Sequence, residues 1–173
     1  IKYYFKDALI KLLDETPPGA VLTSREAIEL IDNNEPVIFN DCDHCFYSEE
    51  FRLKQHYLYK LDGFLLTFKS DKPYYSYCIK KEGKITGTIE KKAVGNDAIA
   101  GVYGFKNISL FDEISKKYLD RCYYSEFYTS GLYNIEPLSC GNIKNFECDF
   151  NISFGTVDEF LKVKENRIFE LFK

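Results

Sequence analysis

The stretch PVIFNDCDHCF, residues 36–46, carries the pattern that decides the fold. It opens with a short, unbroken apolar run, which is typical of a buried parallel strand because both faces of such a strand are covered. Two aspartates, Asp41 and Asp43, follow the run at once. Because ligands of open α/β sheets bind beyond the carboxyl ends of the strands, the stretch predicts a ligand site at these carboxylates.

Outward from this stretch, periodicity predicts the remaining elements. Apolar residues recur at helical spacing in residues 5–14, 25–32, 49–60, 109–123 and 157–173. Strand patterns occupy residues 36–39, 63–69, 74–79, 84–90, 98–105, 128–138 and 146–152. The alternation of helices and strands predicts an α/β fold with a mixed, mostly parallel sheet and an antiparallel excursion. No repeat or linker interrupts it, so residues 1–173 are expected to form a single domain.

Composition excludes several classes of function. The chain has 173 residues, a net charge of -4 and no basic tract, so nucleic acid is not an expected partner. No apolar run approaches the ~20 residues that cross a membrane, and no signal-peptide pattern opens the chain. The six cysteines are interpreted as reduced thiols, which favours a cytoplasmic location.

Two carboxylates one residue apart, Asp41 and Asp43, are suited to Mg²⁺, which takes one or two carboxylates together with substrate phosphates. They could equally be solvated loop residues, or the D-x-D motif of a glycosyltransferase or of an aspartate-based phosphatase. Cys42, Cys45 and His44 raise the alternative of zinc, but the spacing of the later cysteines does not complete a paired four-ligand site. His44 is interpreted as a surface or satisfied core histidine.

Four segments, in order along the chain, resemble the sugar-phosphate nucleotidyltransferases, which include glucose-1-phosphate thymidylyltransferases and enzymes of capsule biosynthesis. The first is the strand with its acidic loop at residues 36–46. The others are SYCIKKEGKITGTIEKKAVGNDAIAGVYGF at 76–105, EFYTSGLYN at 126–134 and FGTVDEFL at 154–161. The resemblance implies a Rossmann-like nucleotidyltransferase fold of the GT-A-like type. It also implies transfer of NMP from an NTP to a phosphorylated acceptor, with Mg²⁺ and release of pyrophosphate.

The resemblance also implies roles for individual residues. Asp43 aligns with the family's metal-binding aspartate, whereas Asp41 falls where the family usually has Asn or a small residue. Glu90 is expected to bind sugar hydroxyls and Lys91 to pair with the acceptor phosphate. Gly101 is expected to let the backbone approach the sugar.

An early loop resembles the family's T-x-G-x-A loop, which recognises the nucleotide base. Its matching residues are Thr16, Gly19 and Ala20, with Pro18 in the family's usual Gly position in one register. The loop is therefore expected to bind the base of the NTP.

The chain also departs from the family pattern. No G-x-G-x-R triphosphate loop occurs within it, so that segment is expected to precede residue 1. Ser153 or Phe154 stands where many relatives carry a second metal-binding aspartate. Two alternatives therefore stay open: a glycosyltransferase that uses Asp41-x-Asp43, and a non-catalytic binding module on the same fold.

Overall fold

The computed structural model describes residues 3–31 and 35–165. Its strands are β1 Val37–Asn40, β2 His44–Tyr47, β3 Gly63–Lys69, β4 Tyr77–Lys81, β5 Lys84–Ile89, β6 Asp97–Phe105, β7 Ile143–Glu147 and β8 Phe150–Ser153. Its α-helices are α1 Ala20–Arg25, α2 Glu49–Lys54, α3 Ile108–Leu119 and α4 Val157–Glu165. Short 3₁₀ helices occupy Ile28–Leu30, Gln55–Lys60, Thr129–Asn134 and Leu138–Cys140.

The main sheet has the order β5-β4-β6-β3-β7, and β1 also pairs with β6. The mixed α/β fold is confirmed, but the sheet contains less parallel pairing than predicted. Among the described strands, β3 and β7 are parallel and the other pairs are antiparallel, including β1 with β6. The apolar run in β1 misled the prediction because only one of its faces is covered: Val37 is buried, whereas Ile38 is 44% exposed.

The predicted helix 49–60 is confirmed, with its last turns in 3₁₀ form. The helix predicted at 109–123 is confirmed as α3, which ends at Leu119. Ser48 and Asn107 begin α2 and α3, because the side chain of each accepts a hydrogen bond from the amide three residues later. The closing helix is present to Glu165, and its predicted remainder lies outside the described residues. The strands at 63–69 and 98–105 and the hairpin between them are also confirmed.

Other predicted elements are wrong. Residues 5–14 are not helical, because their apolar side chains stay exposed (Leu12 is 89% exposed) and a short helix without a packing partner is marginal. The helix predicted at 25–32 is instead α1, which ends at Arg25, followed by a 3₁₀ turn. The single strand predicted at 146–152 is divided between β7 and β8.

The predicted strand 128–138 is also wrong, because two 3₁₀ helices occupy this stretch. Consecutive residues Thr129 to Tyr133 are all buried, whereas a half-buried strand would alternate. Tyr133 lies at its centre, fully buried, and its hydroxyl donates to the carbonyls of Phe64 (2.7 Å) or Gly104 (2.8 Å). The segment therefore fastens the third resemblance motif to β3 and β6.

Tyr133→Phe is expected to lower the free energy of unfolding by about 1–3 kcal/mol, because it removes the buried hydroxyl that donates to the carbonyl of Phe64 or Gly104. Urea denaturation measures this, and its m-value should not change. Tyr123→Phe is the matched control: Tyr123 is 80% exposed, and a surface change of this kind typically stays within about 0.5 kcal/mol. Equal effects of the two substitutions would contradict this role of Tyr133.

Apolar cores cover both faces of the sheet. On one face, α3 packs against the sheet through Phe111, whose ring contacts those of Phe39 and Phe105. On the other, Phe51 of α2 packs against Phe64 and Phe146. Within residues 3–31 and 35–165, no helix combines the length and apolar character needed to cross a membrane.

Candidate functional site

Asp41 lies against a bulge in β6. Gly101 has φ +71° there, and the pairing of β3 with β6 shifts register between Leu65 and Thr67. The Asp41 amide donates to the Gly101 carbonyl at 2.8 Å. A Cβ on Gly101 would lie 2.8 Å from Asp41 Oδ2, so the glycine makes room for this carboxylate. The approach of a sugar to the Gly101 backbone stays a prediction.

Asp43 stands directly before β2, and its carbonyl accepts a hydrogen bond from the Phe154 amide at 2.9 Å. Its carboxylate lies beside Gly155, where any Cβ would clash with it. The side chain is 46% exposed, and one of its oxygens lies 3.6 Å from Nε2 of His44. Asp43 thus faces an open cavity of about 520 Å³. The cavity is also lined by His44, Tyr74, Tyr75, Ser153, Gly155, Thr156, Asp158, Glu159 and Lys162.

Glu90 is held from three separate segments. Ser76 Oγ donates to its carboxylate at 2.6 Å, and Ser130 Oγ donates to the same oxygen. The Glu90 amide donates to the Tyr124 hydroxyl at 3.4 Å. Sequence reasoning missed Ser130 and Tyr124 as contacts of Glu90, although Ser130 lies within the third resemblance motif and was the available signal.

Lys91 follows with φ +51°, an uncommon conformation for a residue with a side chain. Its ammonium donates to the Tyr128 hydroxyl at 2.8 Å and lies 5.0 Å from the centre of that ring. The hydrogen bond to Tyr128 raises the pKa of Lys91, so the side chain is a cation at neutral pH. It is exposed and therefore accessible to an anionic ligand.

The early loop docks on the segment that holds Glu90 and Lys91. Gly19 has φ +110°, and a Cβ there would lie 2.6 Å from the backbone nitrogen of Phe127. The Val21 amide donates to the Phe127 carbonyl at 3.0 Å. Thr16 and Ala20 are exposed on either side of the glycine. The loop is thus joined to the Glu90 region through residues 124–128.

Solved structures with the same architecture include two that are named as sugar-nucleotide pyrophosphorylase or thymidylyltransferase. The chain matches a nucleoside-diphosphate-sugar pyrophosphorylase from Vibrio cholerae RC9 with a TM-score of 0.70 and 20% identity, over 87% of this chain and 66% of that one. It matches a protein assigned as a glucose-1-phosphate thymidylyltransferase from Bacillus anthracis, solved with sucrose, with a TM-score of 0.67 and 17% identity. That match covers 86% of this chain and 61% of the other. The chain has a nucleotidyltransferase fold.

A third structure with this fold is HddC from Yersinia pseudotuberculosis, solved in complex with GMP-PN. Its TM-score is 0.59 at 15% identity, over 95% of this chain and 72% of that one. The chain spans less than two thirds of the lengths of the first two structures. No protein-family model and no curated protein sequence matches the chain.

Within this nucleotidyltransferase fold, three carboxylates share one electrostatic field. Burial, together with the negative charges of Asp43 and Glu90, raises the pKa of Asp41 to about 6. Asp41 therefore lies close enough to both Asp43, the metal-ligand candidate, and Glu90, the sugar-binding candidate, for their charges to raise its pKa. Lys91 is turned towards Tyr128 instead.

The carboxylate pair suits Mg²⁺ better than a metal enclosed by protein ligands. Among the residues that the structure describes, no group of three or more His, Cys, Asp or Glu side chains is placed to hold a metal. The charge of Asp43 raises the pKa of Asp41, so a cation bound at these carboxylates would relieve their repulsion. Because Mg²⁺ normally completes its shell with water and substrate phosphates, two carboxylates are sufficient.

Asp41→Asn is expected to stabilise the protein at pH 8 and to have little effect at pH 4. The folded-state pKa of about 6 exceeds the ordinary value of 3.8, so stability falls as pH rises between these values and the penalty is complete above them. Removing the charge should therefore raise the free energy of unfolding at pH 8 by about 1–3 kcal/mol. Urea denaturation of both proteins at the two pH values measures this, and a pH-independent difference would contradict it.

Proposed function

We propose that the chain forms the metal- and acceptor-binding part of a nucleotidyltransferase, which transfers NMP from an NTP to a phosphorylated acceptor and releases pyrophosphate. One observation carries the proposal. In a nucleotidyltransferase fold, the half-exposed Asp43 carboxylate faces an open cavity, and both Asp43 and Glu90 raise the pKa of Asp41 by their charge. A sugar phosphate is the acceptor class that the resemblance favours, with surface polysaccharide synthesis as its use.

Asp43, with Asp41 beside it, would hold Mg²⁺. When bound, the ion supplies positive charge against the phosphates of the NTP. Gly101 and Gly155 leave room for the two carboxylates, because a Cβ at either glycine would collide with them. This arrangement gives Asp43 the role of bringing the NTP to the acceptor side of the site.

Glu90 and Lys91 would bind the acceptor. The Glu90 carboxylate is fixed by Ser76 and Ser130, so it is prepared to accept hydrogen bonds from sugar hydroxyls. Lys91 is exposed and cationic, and its compact ammonium can pair with the acceptor phosphate. Thr16, Gly19 and Ala20 would contact the base of the NTP.

In the reaction, an acceptor phosphate oxygen attacks the α-phosphorus of the NTP. A new phosphorus–oxygen bond forms, and the bond to the departing pyrophosphate breaks. Because the attacking oxygen already carries negative charge at neutral pH, no protein base is required. The residues of this site position the two phosphates and offset their repulsion. We place the reaction in the cytoplasm, where NTPs are available.

A pyrophosphate-release screen of the complete gene product tests this function. It pairs each of the four common NTPs with a panel of sugar phosphates and phosphocholine, with and without Mg²⁺. The proposal predicts release that requires an NTP, an acceptor and Mg²⁺ together. Release of NDP or NMP from a nucleotide sugar would instead indicate a glycosyltransferase, and ligand binding without any turnover would indicate a binding module.

A further inference from the structure

A second cavity lies at the opposite end of the strands from Glu90. It is a groove of about 550 Å³ between the 3₁₀ helix Gln55–Lys60 and the start of β7. The groove is lined by Lys54, His56, Tyr57, Leu61, Asn142, Ile143 and Lys144. From Ile143, β7 runs away from the groove to Glu147, and β8 then leads towards the Asp43 cavity.

The register of the sheet separates this groove from the acceptor side of the candidate site. Ile143 pairs with Gly63, and Gly63 pairs with Phe105 at the end of β6. Glu90 follows Ile89, which aligns through Tyr77 with Ala98 near the start of β6. At ~3.3 Å per residue, the two levels of the sheet are roughly 20 Å apart.

The groove has an excess of positive charge in a chain whose net charge is -4. Lys54 and Lys144 share the single carboxylate of Glu50, at 2.6 and 3.1 Å. Lys60 instead lies over the rings of Tyr57 and Tyr59, 5.1 and 5.6 Å from their centres. In the described part of the chain, no carboxylate lies within 4.0 Å of the Lys60 ammonium. Lys54 and Lys144 line the groove, and Lys60 stands beside it against the ring of Tyr57, which is a lining residue. These three ammonium groups have one carboxylate among them.

The acidic residue next to Leu61 in the sequence, Asp62, is already engaged. The Asp62 carboxylate accepts a hydrogen bond from the Asn142 amide at 2.8 Å and lies 3.6 Å from Lys106. It therefore holds the start of β7 in place and has its own cation. The excess positive charge at the rim is available for an anionic ligand.

The floor of the groove is apolar and partly aromatic. Leu61 and Ile143 are almost fully buried beneath it, and Tyr57 forms a wall that is 38% exposed. A simple anion would use the lysines and leave this floor in contact with water. A ligand that combines phosphates with a planar ring would use both surfaces, and the volume suits a molecule of that size.

We propose that this groove is a second ligand site, separate from the Asp43 cavity, which binds a nucleotide. Its phosphates pair with Lys54, Lys60 and Lys144, and its base packs on Tyr57 above Leu61 and Ile143. The contact of Lys60 with its tyrosines is weak at an exposed position, so the ammonium is free to turn to a phosphate. The site does not depend on the proposed transferase reaction.

Calorimetric titration without Mg²⁺, in an Asp43→Asn background, tests this site independently of the reaction. The probes are ATP, UTP, inorganic pyrophosphate and adenosine. We expect at least one triphosphate to bind more tightly than pyrophosphate or adenosine. The double variant Lys60→Glu/Lys144→Glu should weaken that binding by about tenfold or more, because it reverses two charges at the rim.

Lys81→Glu is the matched control, since Lys81 is exposed in the β4–β5 hairpin and lies outside the groove. If the charge reversals disturb folding, Lys60→Met/Lys144→Met keeps the apolar stems, removes only the charges and should still weaken binding. The proposal is overturned if neither triphosphate binds, or if the groove variants bind like the control. Pyrophosphate binding as tightly as either triphosphate would also overturn it, because the groove would then recognise only an anion.

Discussion

Asp43→Asn is expected to lower turnover of the complete gene product on the order of a thousand-fold without unfolding it. The amide has the shape of the carboxylate but lacks the charge that would hold Mg²⁺ against the phosphates. Asp43 is half-exposed and raises the pKa of Asp41, so its loss removes repulsion and should not lower the free energy of unfolding. Pyrophosphate release under saturating substrates measures the effect on turnover, and urea denaturation checks the fold.

Glu82→Gln is the matched control for this substitution. It makes the same carboxylate-to-amide change in the turn between β4 and β5, at the other end of the hairpin from Glu90. The control should keep the turnover of the unmodified protein. If Asp43→Asn retained Mg²⁺-dependent turnover close to that of Glu82→Gln, Asp43 would not be the metal ligand.

Lys91→Met is expected to lower kcat/KM for the acceptor on the order of a hundred-fold, because it removes the cation proposed to pair with the acceptor phosphate. The KM for the NTP should change little, since the proposal assigns Lys91 to the acceptor phosphate and not to the NTP. Steady-state kinetics with each substrate varied in turn separates the two effects. If only kcat/KM for the NTP fell, Lys91 would bind the NTP and not the acceptor, which would contradict the prediction.

Two further variants sharpen this test. Lys92→Met changes the neighbouring exposed lysine in the same way and should leave both kinetic constants near their original values. Lys91→Arg retains the charge but spreads it over a planar group, so it should recover only part of the lost kcat/KM. Full activity of Lys91→Met would show that Lys91 has no role in the reaction.

The local hydrophobic pattern predicted an element correctly where the tertiary structure buries the apolar side chains of that pattern. β3 was predicted residue for residue because an apolar run buried on both faces leaves little ambiguity, and the β4–β5 hairpin carried a glycine at its turn. Residues 5–14 carried an equally clear helical pattern but had no surface to cover, so the pattern was not realised. Parallel and antiparallel pairing of β1 could not be distinguished, because both accept a short apolar strand.

The candidate site could be predicted only in part from the sequence, because several of its contacts depend on the tertiary structure. The position of Asp41 and Asp43 directly after a strand was visible in the sequence. The placement of Asp41, whose pKa the charge of Glu90 raises, depends on the bulge at Gly101, which the sequence does not show. The hydrogen bond from Ser130 to Glu90 joins residues far apart in the chain, and no periodicity encodes such a contact. His44, interpreted as a satisfied or surface histidine, is instead largely buried, with a ring nitrogen that has no hydrogen-bond partner.

The most direct test of the account is the position of a divalent cation in crystals of the complete gene product grown with an NTP and Mn²⁺. Anomalous scattering locates Mn²⁺ without relying on activity. The account predicts a peak in contact with the Asp43 carboxylate and a phosphate of the NTP, on the side of the site that holds Glu90. A peak bound elsewhere, or an NTP bound with the Asp43 carboxylate free of metal, would contradict it.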